Sequence, residues 1–95
     1  MALPALSSEI LQRIVGILDV EIDGSWGELY MVPPPEAGII ALVIMVGEPK
    51  RRKLEKKIEA VTQELEKTLG GQRAQLTFTS PEKKIHKGGK CLKKW

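Results

Sequence analysis

Apolar positions open the chain at helical spacing. Ile10, Leu11, Ile14, Val15 and Leu18 form one wide stripe, which predicts a helix over residues 8–18. Ser7 stands at the N-cap position and Glu9 in the first turn, where a carboxylate suits the helix dipole. Leu6 and Leu11 occupy the two ends of a hydrophobic staple. Gly16 interrupts the stripe and costs up to about 1 kcal/mol relative to alanine.

The period then changes. Asp19-Val20-Glu21-Ile22-Asp23 alternates strictly and predicts a half-buried strand. Gly24-Ser25-Trp26-Gly27 follows as a hairpin loop, and residues 28–32 as the return strand. Pro33-Pro34-Pro35 cannot continue a sheet and makes a stiff connector. Residues 38–47 carry no charge, and within them residues 39–46 read as a strand that is apolar on both faces. A helix is predicted over residues 49–69, with Pro49 at its first position and Gly70 just past its end. Leu54, Ile58, Val61, Leu65 and Leu69 give it a single stripe. Residues 74–80 alternate again, with Ala74, Leu76 and Phe78 on one face and Gln75, Thr77 and Thr79 on the other.

Two strands on either side of a helix are most simply parallel neighbours joined by a right-handed crossover. The expected architecture is therefore α+β, a two-layer sandwich in the order α-β-β-β-α-β. It ends in a βαβ unit and places both helices on one face of a mixed four-stranded sheet.

Length and composition confine this pattern. Ninety-five residues, 42% hydrophobic and 28% charged, make one soluble globular domain with an aliphatic core. The domain is expected over residues 1–80, with residues 81–95 as a basic, flexible C-terminal tail. One cysteine, Cys91, and one histidine, His86, exclude an internal disulfide and a multi-cysteine metal site. No signal peptide is recognisable at the N-terminus, and the apolar run is too short to span a membrane. The expectation is a cytoplasmic protein without a cofactor.

Charge changes the picture more than composition does. Residues 1–49 hold one base, Arg13, against seven acids; residues 50–95 hold fourteen bases against five acids. The net charge of +3 conceals this division. An anionic partner for the second half follows from it, or head-to-tail attraction between copies.

Lys50, Arg51, Arg52, Lys53, Lys56 and Lys57 crowd the first half of the second helix, where bases oppose the dipole. Their cost to the helix points to an anion, and basic side chains beside free N–H groups suit a phosphate backbone. A solvated face with Arg51 and Arg52 paired to Glu55 is the plainer alternative. The tail adds Lys83, Lys84, Lys87, Lys90, Lys93 and Lys94, with Trp95 available to stack on a base. The same composition suits an anionic membrane surface less well.

The doubly apolar strand asks for a cover. Ile39, Ile40, Leu42 and Ile44, with Trp26 and Tyr30, are the candidates for an interface between copies; an intramolecular cover is the alternative. Asp19, Glu21 and Asp23 would share one face of a strand, where they fit either Mg²⁺ or the charges that protect an edge. No nucleophile constellation can be assembled from one histidine and one cysteine in the tail.

The element order is similar to that of KH-like ribosome-associated domains, double-stranded-RNA-binding domains and alkaline-shock-type envelope proteins. The KH signature is a Gly-x-x-Gly loop between helices, whereas Gly24-Ser25-Trp26-Gly27 lies between predicted strands. Lys50-Arg51-Arg52-Lys53 resembles the basic start of the last helix in the RNA-binding domains, without their glycine and aromatic pattern. The stretch from Leu6-Ser7-Ser8-Glu9-Ile10 through Glu21-Ile22-Asp23-Gly24, about a fifth of the chain, resembles the opening of the alkaline-shock type. No family is assigned from these resemblances.

The sequence thus predicts a small non-enzymatic module that self-associates and contacts a polyanion, RNA or a ribonucleoprotein. A structural or assembly protein without nucleic acid is the competing expectation, and a metal-dependent enzyme at Asp19, Glu21 and Asp23 a distant third.

Overall fold

A computed structural model of the chain describes residues 6–22, 26–80 and 89–95. Its elements are α1 (Ser8–Ile22), β1 (Gly27–Val32), β2 (Ile39–Val46), α2 (Lys50–Glu55), α3 (Ile58–Thr68), β3 (Arg73–Thr79) and β4 (Lys90–Lys94). The strands form one mixed sheet in the order β3-β2-β1-β4. β1 is antiparallel to both its neighbours, and β2 runs parallel to β3 across the α2–α3 crossover. The helices lie on one face, so the α+β class, the mixed four-stranded sheet and the βαβ unit are all present.

Strand membership differs from the sequence expectation. Asp19-Val20-Glu21-Ile22 is helical, not a strand, because α1 continues to Ile22. Ile14, Leu18 and Ile22 repeat at intervals of four and are all buried, so one core-facing stripe carries the helix through the alternating segment. The fourth strand is instead β4, within the segment expected to be a tail. β1 accordingly pairs with β2 and β4 rather than with residues 19–22.

The second helix is also divided. Lys57 N donates to Leu54 O at 3.0 Å, a tight turn that separates α2 from α3. Leu54, Val61 and Leu65 remain buried on the two sides of that turn. Two of the expected caps, Ser7 and Gly70, are built as read, while Pro49 stands at the N-cap of α2 rather than at its first position. Ser7 Oγ accepts from Ile10 N at 3.2 Å at the start of α1. After α3, Gly70 N donates to Lys67 O and Gly71 N to Glu66 O, the paired bonds of a Schellman ending, with Gly70 at φ 73°.

The core fills the space between sheet and helices. Leu29 and Met31, alternate residues of β2 from Ile40 to Val46, and Leu76 and Phe78 meet Ile14, Leu18, Ile22, Leu54, Val61 and Leu65. Gly27 makes a close approach at the edge of this core. A Cβ there would stand 3.2 Å from a Val46 methyl and 3.4 Å from Ile22 Cδ1.

The other face of β2 is closed within the same chain. Ile39, Ala41, Val43 and Met45 are 8%, 5%, 3% and 4% exposed. Val32, Ala41 and Val43 form a second small cluster, with Tyr30 packed against it. A strand buried on both faces has no use for alternation, which accounts for the uninterrupted apolar run.

Candidate functional site

The basic segment 50–57 does not act as one surface. Glu48, immediately before α2, accepts from Arg51 Nε, and its second oxygen lies 3.4 Å from Arg52 Nε. Glu55 accepts from Arg51 Nη1. The hydrogen bond to Glu48 raises the pKa of Arg51 above its ordinary value, and Glu55 adds to the effect. Arg51 is thus held between carboxylates of its own helix and its lead-in, while Arg52, 77% exposed, only approaches Glu48. Glu48 meets arginine side chains at the start of α2 without capping its backbone N–H groups.

The lysines are disposed differently. Lys50, Lys53, Lys56 and Lys57 line a depression of about 260 Å³ around Leu54, with Glu21 at its edge. Lys57 Nζ lies 3.5 Å from Glu21 Oε2. Lys50, Lys53 and Lys56 make no ion pair among the described residues, and Lys53 and Lys56 are exposed. Four lysines and one glutamate line this depression, so its surroundings carry net positive charge.

β4 forms a second basic element on the outer edge of the sheet. Lys90, Lys93 and Lys94 are exposed, and Lys94 Nζ approaches Glu28 Oε1 at 3.9 Å. Lysines along an edge strand also discourage unwanted strand addition. Trp95 is held in place. Its backbone N donates to Gly27 O at 2.8 Å, its indole Nε1 donates to Asp19 Oδ1, and its ring packs against the main core. Lys83, Lys84, Lys87 and His86 lie outside the described residues, as does Asp23.

Asp19 and Glu21 do not form a row on one face. On a helix, Asp19 and Glu21 point to different sides; the first meets Trp95 and the second Lys57. Among the described residues no group of three or more His, Cys, Asp or Glu side chains is placed to hold a metal ion.

Of the residues expected at an interface, Ile40, Leu42 and Ile44 point into the main core, at 1%, 1% and 0% exposure. Ile39 is buried at the start of β2, where it borders a concavity of about 540 Å³ that α3 and β3 also line. Trp26 is 48% exposed beside β1. Tyr30 is half-buried and donates from its hydroxyl to Glu28 Oε1 at 3.0 Å. Burial, then this hydrogen bond, push its pKa up to about 12.

The outer edge of β3 carries a feature that alternation alone did not signal. No described strand covers it. Ala74 N donates to Glu66 Oε2 at 3.0 Å, so a side chain of α3 has taken the first outward N–H of the strand. Among the described residues no helix is long and apolar enough to cross a membrane. No protein-family model matches the chain, and neither a curated protein nor a solved structure matches it.

Proposed function

We propose that this chain is a small, non-enzymatic binding module that self-associates and meets a polyanion, RNA or a ribonucleoprotein, chiefly through Lys50, Lys53, Lys56 and Lys57. The observation that carries this reading is the division of labour within residues 50–57. Arg51 is held between Glu48 and Glu55, whereas Lys50, Lys53 and Lys56 line a depression without a carboxylate partner among the described residues. Placing unpaired lysines near one another costs stability through mutual repulsion, and an anionic ligand offsets that cost. The lysines of β4 add non-specific attraction at a second place. Phosphate contacts of this kind release counterions, so affinity falls steeply as salt rises.

Sedimentation of the protein with and without RNA, at a low and a high salt concentration, tests the reading. Co-sedimentation at low salt that is lost at high salt is expected. No RNA binding at low salt, or binding indifferent to salt, overturns it. A protein-only assembly role is the second reading. It is favoured by β3, whose outer edge, on the side away from β2, no described strand pairs.

A further inference from the structure

We infer that β3 is the self-association surface, and that two copies pair their β3 edges antiparallel about a two-fold axis at Leu76. This inference rests on the self-association in the reading above and does not involve the polyanion.

An edge strand offers the N–H and C=O groups of alternate residues to a partner. Which residues those are follows from Glu66. Its carboxylate accepts from Ala74 N, so the Ala74 N–H points away from β2. By the two-residue period of a strand, Leu76 and Phe78 present their groups outward as well, while Gln75, Thr77 and Thr79 bond towards β2. β3 spans Arg73–Thr79, and Leu76 is both its midpoint and one of the outward-facing residues. A two-fold axis there uses the whole strand. Centring on Ala74 or Phe78 would overlap only a short end.

The side chains suit that register. Leu76 opposes Leu76, and Ala74 opposes Phe78, a small residue beside a large one on the helix side of the sheet. On the opposite face Gln75 opposes Thr77, and both are exposed. Arg73, the only charged residue of β3, opposes Thr79, so no like charges meet. The edge has neither a proline nor an inward-pointing charge to prevent addition. The opposite edge, β4, carries lysines at Lys90, Lys93 and Lys94 and is defended by them. Glu66 competes for one N–H at the end of the β3 edge and leaves its centre free, which sets a reversible association.

The test is sedimentation equilibrium of the full chain and of two charged variants. Gln75→Lys/Thr77→Lys places lysines opposite lysines across the axis, and Gln75→Glu/Thr77→Glu does the same with acids. Both positions are exposed, and far-ultraviolet circular dichroism confirms that each variant folds. The unaltered chain is expected to dimerise with concentration, and each variant to dissociate about tenfold more readily. An equimolar mixture of the two variants is expected to regain the dimer as a heterodimer, because the opposed charges then attract. A dimer whose dissociation constant ignores both variants overturns the β3 assignment while leaving self-association standing. A chain that stays monomeric at millimolar concentration overturns both.

Discussion

The indole N–H of Trp95 donates to the Asp19 carboxylate, tying the end of β4 to the C-terminal part of α1. This bond joins a residue that composition assigns to a tail with one that alternation assigns to a strand. Both belong instead to the folded body. Removing the ring by Trp95→Ala takes away that bond and the packing against the core, and should cost about 1–3 kcal/mol. Urea denaturation checks it through the midpoint. A freely moving Trp95 would leave the midpoint unchanged.

Tyr30 supplies a probe of the second face. It is the only tyrosine in the chain, so its ionisation is seen alone in the ultraviolet absorbance of tyrosinate. Burial and its hydrogen bond to Glu28 place the midpoint at about 12 in the folded protein, against about 10 for an unfolded chain. Between those values the unfolded chain has lost the phenolic proton and the folded one has kept it. Folding stability contributed by Tyr30 is therefore complete below pH 10 and falls as the pH rises towards 12. Tyr30→Phe should remove that part of the alkaline decline in melting temperature.

The core separates residues by position on a shared stripe. Leu65 is fully buried in α3, and Leu65→Ala should lower the unfolding free energy by about 2–5 kcal/mol. Val20 is 76% exposed on α1, and Val20→Ala should change it by no more than about 0.5 kcal/mol. Had residues 19–22 formed a half-buried strand, Val20 and Ile22 would share one burial state. Ile22 is fully buried, and Ile22→Ala should resemble Leu65→Ala in a calorimetric or urea measurement.

The parts legible in the sequence were those with a long period and a cap. Ser7 marked the start of α1, and Gly70 marked the end of α3 through a positive φ. The run of β2 gave its place and its double burial. What misled was local: a short alternation satisfies a strand, while Ile14, Leu18 and Ile22 satisfy a helix over a longer span. The two acids there oppose the helix dipole, so packing of Ile22 and the Glu21–Lys57 pair outweigh local preference. No glycine or proline marks the turn between α2 and α3, so a continuous stripe concealed it. Lysine is poor in strands in general and common on their edges, which is why β4 read as a tail.

The candidate surface was half legible. The basic segment stood out by its position, and i,i+4 spacing offered the Arg51–Glu55 pair, but the pairs with Glu48, before the helix, and with Glu21, from α1, were not legible. Arg51→Ala should therefore lower helix stability and leave RNA affinity within about twofold, since a guanidinium bound to Glu48 and Glu55 has little to offer a phosphate. Filter binding at one low salt concentration, beside a thermal melt, separates the two effects.

The most direct measurement is RNA affinity as a function of salt for the unaltered chain and for Lys50→Ala/Lys53→Ala/Lys56→Ala. If these lysines hold the phosphates, the variant binds more weakly, and its log–log salt slope falls in magnitude by about 2–3. Equal affinity and equal slope in a correctly folded variant would contradict the assignment.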